Sequence, residues 1–189
     1  VIGLGTGYGH ARAYHEHPDT HLAAICDMVP ERTERVLDQY PADFVTDDYR
    51  ELLRRDDVQV VSICTPDDQH EEQVIAALEA GKDVLCEKPM ALNLEACKRM
   101  IAVADRTGRR LMVGQVCRFA PGFALAKRLV ERGEIGELFF VESEYAHDYE
   151  HIGGWRKDPK LKREPFVGGA CHAVDLVRWI AGEPAEVFA

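Results

Sequence analysis

The sequence predicts an α/β fold, a doubly wound parallel sheet followed by the beginning of an α+β unit. Three observations predict it. Short β-rich runs alternate with helical patterns as far as Gln115, the first run ends in a cluster of glycines that leads into a helix, and after Gln115 the texture changes. Strand, helix, strand alternation requires right-handed crossovers, which make neighbouring strands parallel and place helices on both faces of the sheet.

Taken in order, the β-rich runs are VIGL (1–4), HLAAIC (21–26), DFV (43–45), VQVVSIC (58–64), DVLC (83–86) and RLMVGQV (110–116). Between the later runs lie EEQVIAALEAG (71–81) and LEACKRMIAVADRTG (94–108). In the first of these, Val74, Ile75, Ala77 and Leu78 recur at helical spacing, Glu71, Glu72 and Glu79 are left to face water, and Gly81 supplies the stop. Beyond Gln115 the pattern predicts a helix over 123–132, a turn over 133–136 and a half-buried strand in ELFFVESEYAHDY (137–149). A long loop rich in Gly, Pro, Lys and Asp follows (147–167), then a last helix over 169–181 closed by Gly182 and Pro184.

The totals bound what such a chain can be. Its 189 residues suffice for one large domain, or for one domain with part of another, and 46% apolar with 30% charged residues is an ordinary globular composition. No membrane span is present. A net charge of −10 and a pI near 5.3, without a basic cluster, would repel a phosphate backbone, so nucleic acid is not an expected partner. The six cysteines (26, 64, 86, 97, 117 and 171) show no Cys-x-x-Cys spacing and sit mostly in apolar runs, where a thiol behaves as a small hydrophobe. They read as reduced thiols of a cytoplasmic protein. The chain opens on Val1 inside an apolar run, without a signal peptide or an initiator methionine, and closes on AEVFA, which reads as the start of a strand. The expectation is a fragment at both ends.

VIGLGTGYGH places glycines at 3, 5, 7 and 9, behind the first strand and ahead of a helix. Glycine lets the main chain turn tightly and lets a pyrophosphate approach the helix N-terminus, where free N–H groups and the helix dipole favour an anion. Gly3, Gly5, Thr6, Gly7, Tyr8 and Gly9 are therefore candidate contacts of a dinucleotide. Asp27 ends the second strand about 20 residues beyond Gly5, where a carboxylate can accept hydrogen bonds from the adenosine ribose and repel a 2′-phosphate. That favours NAD over NADP, although Arg32 could pair with a 2′-phosphate and keeps NADP open. Against the usual Gly-x-Gly-x-x-Gly spacing, Tyr8 stands where the third glycine belongs and Gly9 comes one residue late. Either the turn is widened by one residue or Tyr8 covers the cofactor.

Open parallel sheets bind ligands outside the carboxyl ends of their strands, and CTPDDQH (64–70), CEKP (86–89) and QVCRFAP (115–121) all leave such ends. With GLGTGYGH (3–10), TPDDQH (65–70), AGKDVLCEKPMA (80–91), RFAP (118–121) and GGACHAVDLVRW (168–179), the chain resembles the Gfo/Idh/MocA oxidoreductases, the glucose-fructose oxidoreductase and inositol dehydrogenase group. The order and separation of these motifs match over almost the whole chain. The resemblance implies a Rossmann dinucleotide-binding domain over 1–117 and part of an α+β substrate and dimerisation domain over 118–189. It implies that Glu87 contacts the nicotinamide ribose, that Lys88 reaches the reacting hydroxyl, and that Pro89 sets the direction of both. An ammonium at that place can stabilise an alkoxide as hydride leaves; outside this setting a Glu-Lys pair would be a surface ion pair. Thr65 and Pro66 fall on the nicotinamide side. His70 is either a further cofactor contact or a capping or packing histidine. Arg118 either meets the substrate or pins the linker.

Removing hydride from an alcohol also frees a proton, and a histidine, with an ordinary pKa of about 6.5, is a natural acceptor. The family's catalytic histidine falls on His172, and Asp175, on the same helix face, could orient its ring. Inositol dehydrogenase-like members carry an aspartate four residues earlier, where this chain has Gly168. Asp175 or Glu164 compensates, or the proton leaves through water, or the reaction differs. Trp155 and Arg156 resemble the family's Trp-Arg pair, with Arg156 touching substrate or cofactor. His147, Asp148, His151 and Asp158 lack a fixed ligand spacing, so no metal is implied. The expected activity is NAD-dependent hydride transfer with a secondary hydroxyl of a sugar, polyol or inositol-like molecule. The alternatives are a non-catalytic dinucleotide sensor and a dihydrodiol or bilin reductase. A carbohydrate-like small molecule is the expected partner, with no membrane and a possible homo-oligomer through the second domain.

Overall fold

The computed structural model describes residues 1–148, 153–154, 164 and 166–188. The chain divides into two compact units, Val1–Gly114 and Gln115–Ala189. The first unit runs α1 (Gly7–Glu16), β1 (Ala24–Cys26), α2 (Pro30–Leu37), β2 (Phe44–Thr46), α3 (Tyr49–Leu53), β3 (Val60–Ile63), α4 (His70–Glu79), β4 (Asp83–Cys86), α5 (Leu94–Thr107) and β5 (Leu111–Val113). The pairs β1–β2, β3–β4 and β4–β5 are all parallel.

The expected first strand, VIGL, is reduced to a single bridging residue. Ile2 bridges Cys26 on one side and Ile63 on the other, both in parallel sense. Gly3, at φ +82°, ends the extended conformation immediately afterwards. This short segment nevertheless joins the two halves through Ile2 N–H to Ser62 O and Cys64 N–H to Ile2 O, each 2.8 Å, and Cys26 N–H to Val1 O at 2.9 Å. The strands therefore read β2, β1, residues 1–4, β3, β4, β5 across the sheet, with the order reversing at the glycine turn. That reversal is where an open sheet leaves a crevice for a ligand.

The core lies between the sheet and the helices, with Ile2, Val61, Ile63, Val74, Ala77, Leu78, Val84 and Met100 among its buried residues. The α4 stripe packs as its spacing predicts, except that Ile75 is half-buried. The acidic face of α4 is not left to water alone. Glu71 pairs with Arg99 and Glu79 with Arg106 of α5, and Glu72 accepts from Arg50 of α3 at 2.7 Å. Asn93 caps α5 by accepting from Ala96 N–H at 2.9 Å, and Gly108, in the left-handed region at φ +64°, ends it. Cys26, Cys64 and Cys86 are buried, and burial pushes the Cys26 and Cys64 thiols up to about 12 and Cys86 further in the same direction.

The second unit contains α6 (Pro121–Glu131) and α7 (Cys171–Ala181). The last helix starts slightly later than expected because residues 166–170, with Gly168 and Gly169 buried in their midst, form a wider π-type turn first. The expected strand is absent from 137–148. Burial still alternates there, with Val141, Ser143 and Tyr145 half-buried and Glu142 and Glu144 exposed, but no described segment pairs with it. Phe139 and Phe140 remain 99% and 70% exposed. Alternation supplies two faces; only a neighbouring backbone supplies a ladder.

Candidate active site

The glycine turn shows which of its glycines are obligatory. A Cβ on Gly3 would lie 2.7 Å from the Cys64 carbonyl carbon, on top of its positive φ. A Cβ on Gly7 would lie 2.8 Å from Val1 Cγ1 and 3.3 Å from Cys64 Cβ. Gly7 thus takes the part of the third glycine, the one that lets the helix approach the strands. The turn is shortened by a residue, not widened, and Gly9, whose Cβ would meet nothing within 4 Å, carries no such constraint.

Tyr8 does not cover a cofactor either. Its hydroxyl donates to Gln39 Oε1 at 2.9 Å, its ring packs edge-on against Tyr40, and the Arg35 guanidinium lies 4.1 Å over it. Helical spacing carries it toward the far side of α1, onto α2 and the residues that follow. Gly5 and Thr6 are exposed, open space lies beyond Gly5, and the Thr6 side chain does not cap α1. The amides of Gly7 and Tyr8 have no partner within the helix, as in any first turn. A glycine-rich bend that leads into such amides fits a pyrophosphate.

Asp27 follows β1 with its side chain only 5% exposed. One oxygen accepts Leu4 N–H at 2.6 Å, the other Val29 N–H at 2.9 Å, and Arg32 Nη1 stands 3.4 Å from both. The carboxylate therefore braces the glycine turn itself. Since a carboxylate offers roughly four acceptor positions, capacity remains for ribose hydroxyls.

After β3, Thr65 donates its hydroxyl to Gln73 Oε1 at 2.7 Å, and Pro66 is half-buried beside it. His70 corrects its expectation as a cofactor contact. It is 0% exposed, with Nδ1 2.9 Å from Pro89 O and Nε2 3.0 Å from Thr65 O, so it packs between two loops and cannot touch a ligand. A histidine at the start of an otherwise apolar helix face signals this role no more clearly than the other.

After β4, Glu87 and Lys88 are half-buried, Pro89 is buried, and the Lys88–Pro89 peptide is cis. Glu87 Oε1 is 3.0 Å from His10 Nε2, and Glu87 Oε2 accepts Lys88 N–H at 3.1 Å. Burial works against the Glu87 charge, but these two hydrogen bonds and the Lys88 ammonium outweigh it and hold the carboxyl below its ordinary range. On its other side, His10 Nδ1 is 3.1 Å from the Ser62 hydroxyl, which is 2.9 Å from Tyr14 Oη. Sequence reasoning missed His10, Tyr14 and Ser62. The available signal was the spacing of Gly7, His10, Ala11 and Tyr14, which places all of them on the face of α1 toward the sheet.

In the second unit, His172 is 7% exposed near the start of α7, with the Tyr145 ring centroid 5.8 Å away. The described hydrogen bonds of Asp175 go to Arg118. Both Asp175 oxygens are taken by Arg118, at 2.8 Å from Nε and 2.6 Å from Nη2, in the bidentate geometry that suits guanidinium and carboxylate. Arg118 is thus a brace between residues 116–119 and α7, and the Asp175 pair holds its guanidinium above its ordinary range. Gly168 is buried, its N–H donating to Glu164 O at 2.9 Å, while Glu164 is itself exposed. Trp155 and Arg156 lie outside the described residues, as do His151 and Asp158.

A parallel sheet whose order reverses at an obligatory glycine bend, with a braced aspartate after the next strand, is the architecture of a dinucleotide-binding fold. Residues 1–115 match the family described as "Oxidoreductase family, NAD-binding Rossmann fold" and residues 123–189 match the "GFO/IDH/MocA C-terminal domain". The chain belongs to the Gfo/Idh/MocA oxidoreductase family. It is 29% identical to an inositol 2-dehydrogenase of Salmonella paratyphi B, covering 97% of this chain and 54% of that one. It is 35% identical to a 2,7-anhydro-N-acetylneuraminate hydratase of Mediterraneibacter gnavus, covering 97% and 50%. Among solved structures it resembles a levoglucosan dehydrogenase in complex with NADH, at 30% identity and a TM-score of 0.87 over 96% of this chain and 53% of that one. The chain spans about half the length of the relatives it matches.

Proposed function

We propose that the protein is an NAD-dependent dehydrogenase that moves hydride between the cofactor and a secondary hydroxyl of a sugar, polyol or inositol-like molecule. The observation that carries this reading is the setting of Lys88. It leaves β4 at the carboxyl edge of the sheet, and the residues on either side of it are held, Glu87 by His10 and Pro89 by His70. NAD, when bound, supplies the hydride acceptor. The Gly3–Gly7 bend and the first amides of α1 receive the pyrophosphate, and Asp27 receives the adenosine ribose. A 2′-phosphate would meet the Asp27 carboxylate at the point where Arg32 already pairs with it, which favours the cofactor that lacks that phosphate.

Lys88 is assigned to the reacting hydroxyl, where its ammonium stabilises the oxygen as negative charge grows. The carbinol C–H bond gives up its electron pair with the hydride, the O–H proton passes to His172, and a ketone remains. Reduction of a keto sugar runs through the same groups in reverse. Asp175 is engaged by Arg118, so its carboxylate braces α7 in this arrangement. The dehydrogenases among the relatives support this reading. The hydratase, at 35% identity, supports a second one, in which the same groups serve addition of water to an anhydro-sugar instead of net oxidation.

The test is Lys88→Ala in the whole protein, assayed for NADH formation with a panel of polyols and for NAD affinity by calorimetry. Turnover should fall by about 100-fold or more, the loss typical of a group acting on transition-state charge, with little change in affinity for NAD. Retained turnover would refute the role of Lys88. Water addition to an anhydro-sugar without NADH release would select the second reading.

A further inference from the structure

Four side chains of the first unit form one line of hydrogen bonds that ends beside Lys88: Tyr14, Ser62, His10 and Glu87. Its direction at the Glu87 end can be read from donor chemistry. Glu87, held below its ordinary range, only accepts, so His10 donates to it from Nε2. On its other side, His10 Nδ1 shares a hydrogen bond with the Ser62 hydroxyl, which shares one with Tyr14 Oη, a phenol whose pKa burial raises. Glu87 in turn takes the main-chain N–H of Lys88. Ser62 is fully buried, and apolar side chains would fill the same volume without having to satisfy three polar groups. What the polar set adds is a fixed link between two loops.

The link begins on α1, whose first turn forms part of the glycine bend. Gly7, lacking a Cβ, lets α1 lie against Val1 and Cys64, and this close approach brings His10, one turn further on, within reach of both Ser62 and Glu87. On the other side of Lys88, His70 holds Pro89 O and Thr65 O, so the loop after β3 is tied to the same short stretch.

We propose that His10 is a positioning residue of this active site: through Glu87 it fastens the main chain of Lys88 to the helix that receives the pyrophosphate, so that seating the cofactor and aiming the lysine are set by one element. This rests on the reading of Lys88 as the lysine that meets the substrate. His10 touches neither cofactor nor substrate in this role. It acts by transmitting the position of α1 to residue 88.

The experiment uses the whole protein with NAD as the only ligand. Labelling of Lys88 by an amine-reactive acetylating reagent, followed by mass spectrometry, should slow severalfold when NAD is added. His10→Ala should lose most of that NAD effect while still binding NAD. His10→Gln, whose amide can donate from near the position of Nε2, should recover it, and His10→Asn, too short to reach Glu87, should not. Nitrogen-15 spectra of the unmutated protein should place the His10 hydrogen on Nε2, with a change in Glu87→Gln. With a polyol that turns over, His10→Ala should lower kcat by about 10- to 100-fold with little change in KM, the scale expected for a reacting group misplaced by the order of 1 Å. Lys88 labelling in His10→Ala that matches the unmutated protein with and without NAD would overturn the proposal. So would full recovery in His10→Asn. Absence of turnover on every polyol would instead overturn the dehydrogenase reading, and the labelling arm would still decide the role of His10.

Discussion

A methyl group at Gly7 would have to displace Val1 Cγ1, 2.8 Å away, and crowd Cys64, whereas one at Gly9 would enter open space. Gly7→Ala should therefore lower stability by about 1–3 kcal/mol through overpacking and weaken NAD binding, because α1 must back away from the bend. Gly9→Ala should leave both nearly unchanged. Denaturant melts and NAD calorimetry on the two variants check this, and equal effects would contradict the assignment. The glycine density of the first ten residues was legible in the sequence; which glycine does which task was not. Counting residues against a motif put Tyr8 in the third position, but close packing is decided by the distance from Cα to the next strand, which no spacing rule contains. His10 was hidden for a related reason. Its partner Glu87 lies across the sheet, so only the sheet-facing stripe it shares with Gly7, Ala11 and Tyr14 could have singled it out.

Among the elements, those held by local signals were read well and those that need a partner were not. The alternation of strands and helices and the α4 stripe follow from residues close together in the chain. The strand expected over 137–149 failed because alternation describes faces and says nothing of who supplies the neighbouring backbone. The Arg118–Asp175 brace was likewise out of reach, since its members stand far apart in the chain and each had a more attractive role nearby. The two roles can be separated. If Asp175 serves Arg118, Asp175→Asn should cost about 1 kcal/mol of stability, a discounted figure because the Arg118 side chain is 41% exposed, and should leave the pH profile of turnover in place. A shifted profile with unchanged stability would return Asp175 to His172.

For the molecule as a whole, both units bear matching family descriptions, and the reversal of strand order at residues 1–4 accounts for where the first unit places the loops of the proposed site. The six thiols divide evenly: Cys26, Cys64 and Cys86 are buried, while Cys97, Cys117 and Cys171 are partly accessible. Under native conditions a maleimide should thus consume three equivalents and then stop, and the remaining sulfurs should react only when the sheet comes apart. The protein in this way carries its own gauge of opening. Stoichiometry of alkylation, followed over time and with NAD added, would report how often the interior is exposed without any engineered probe.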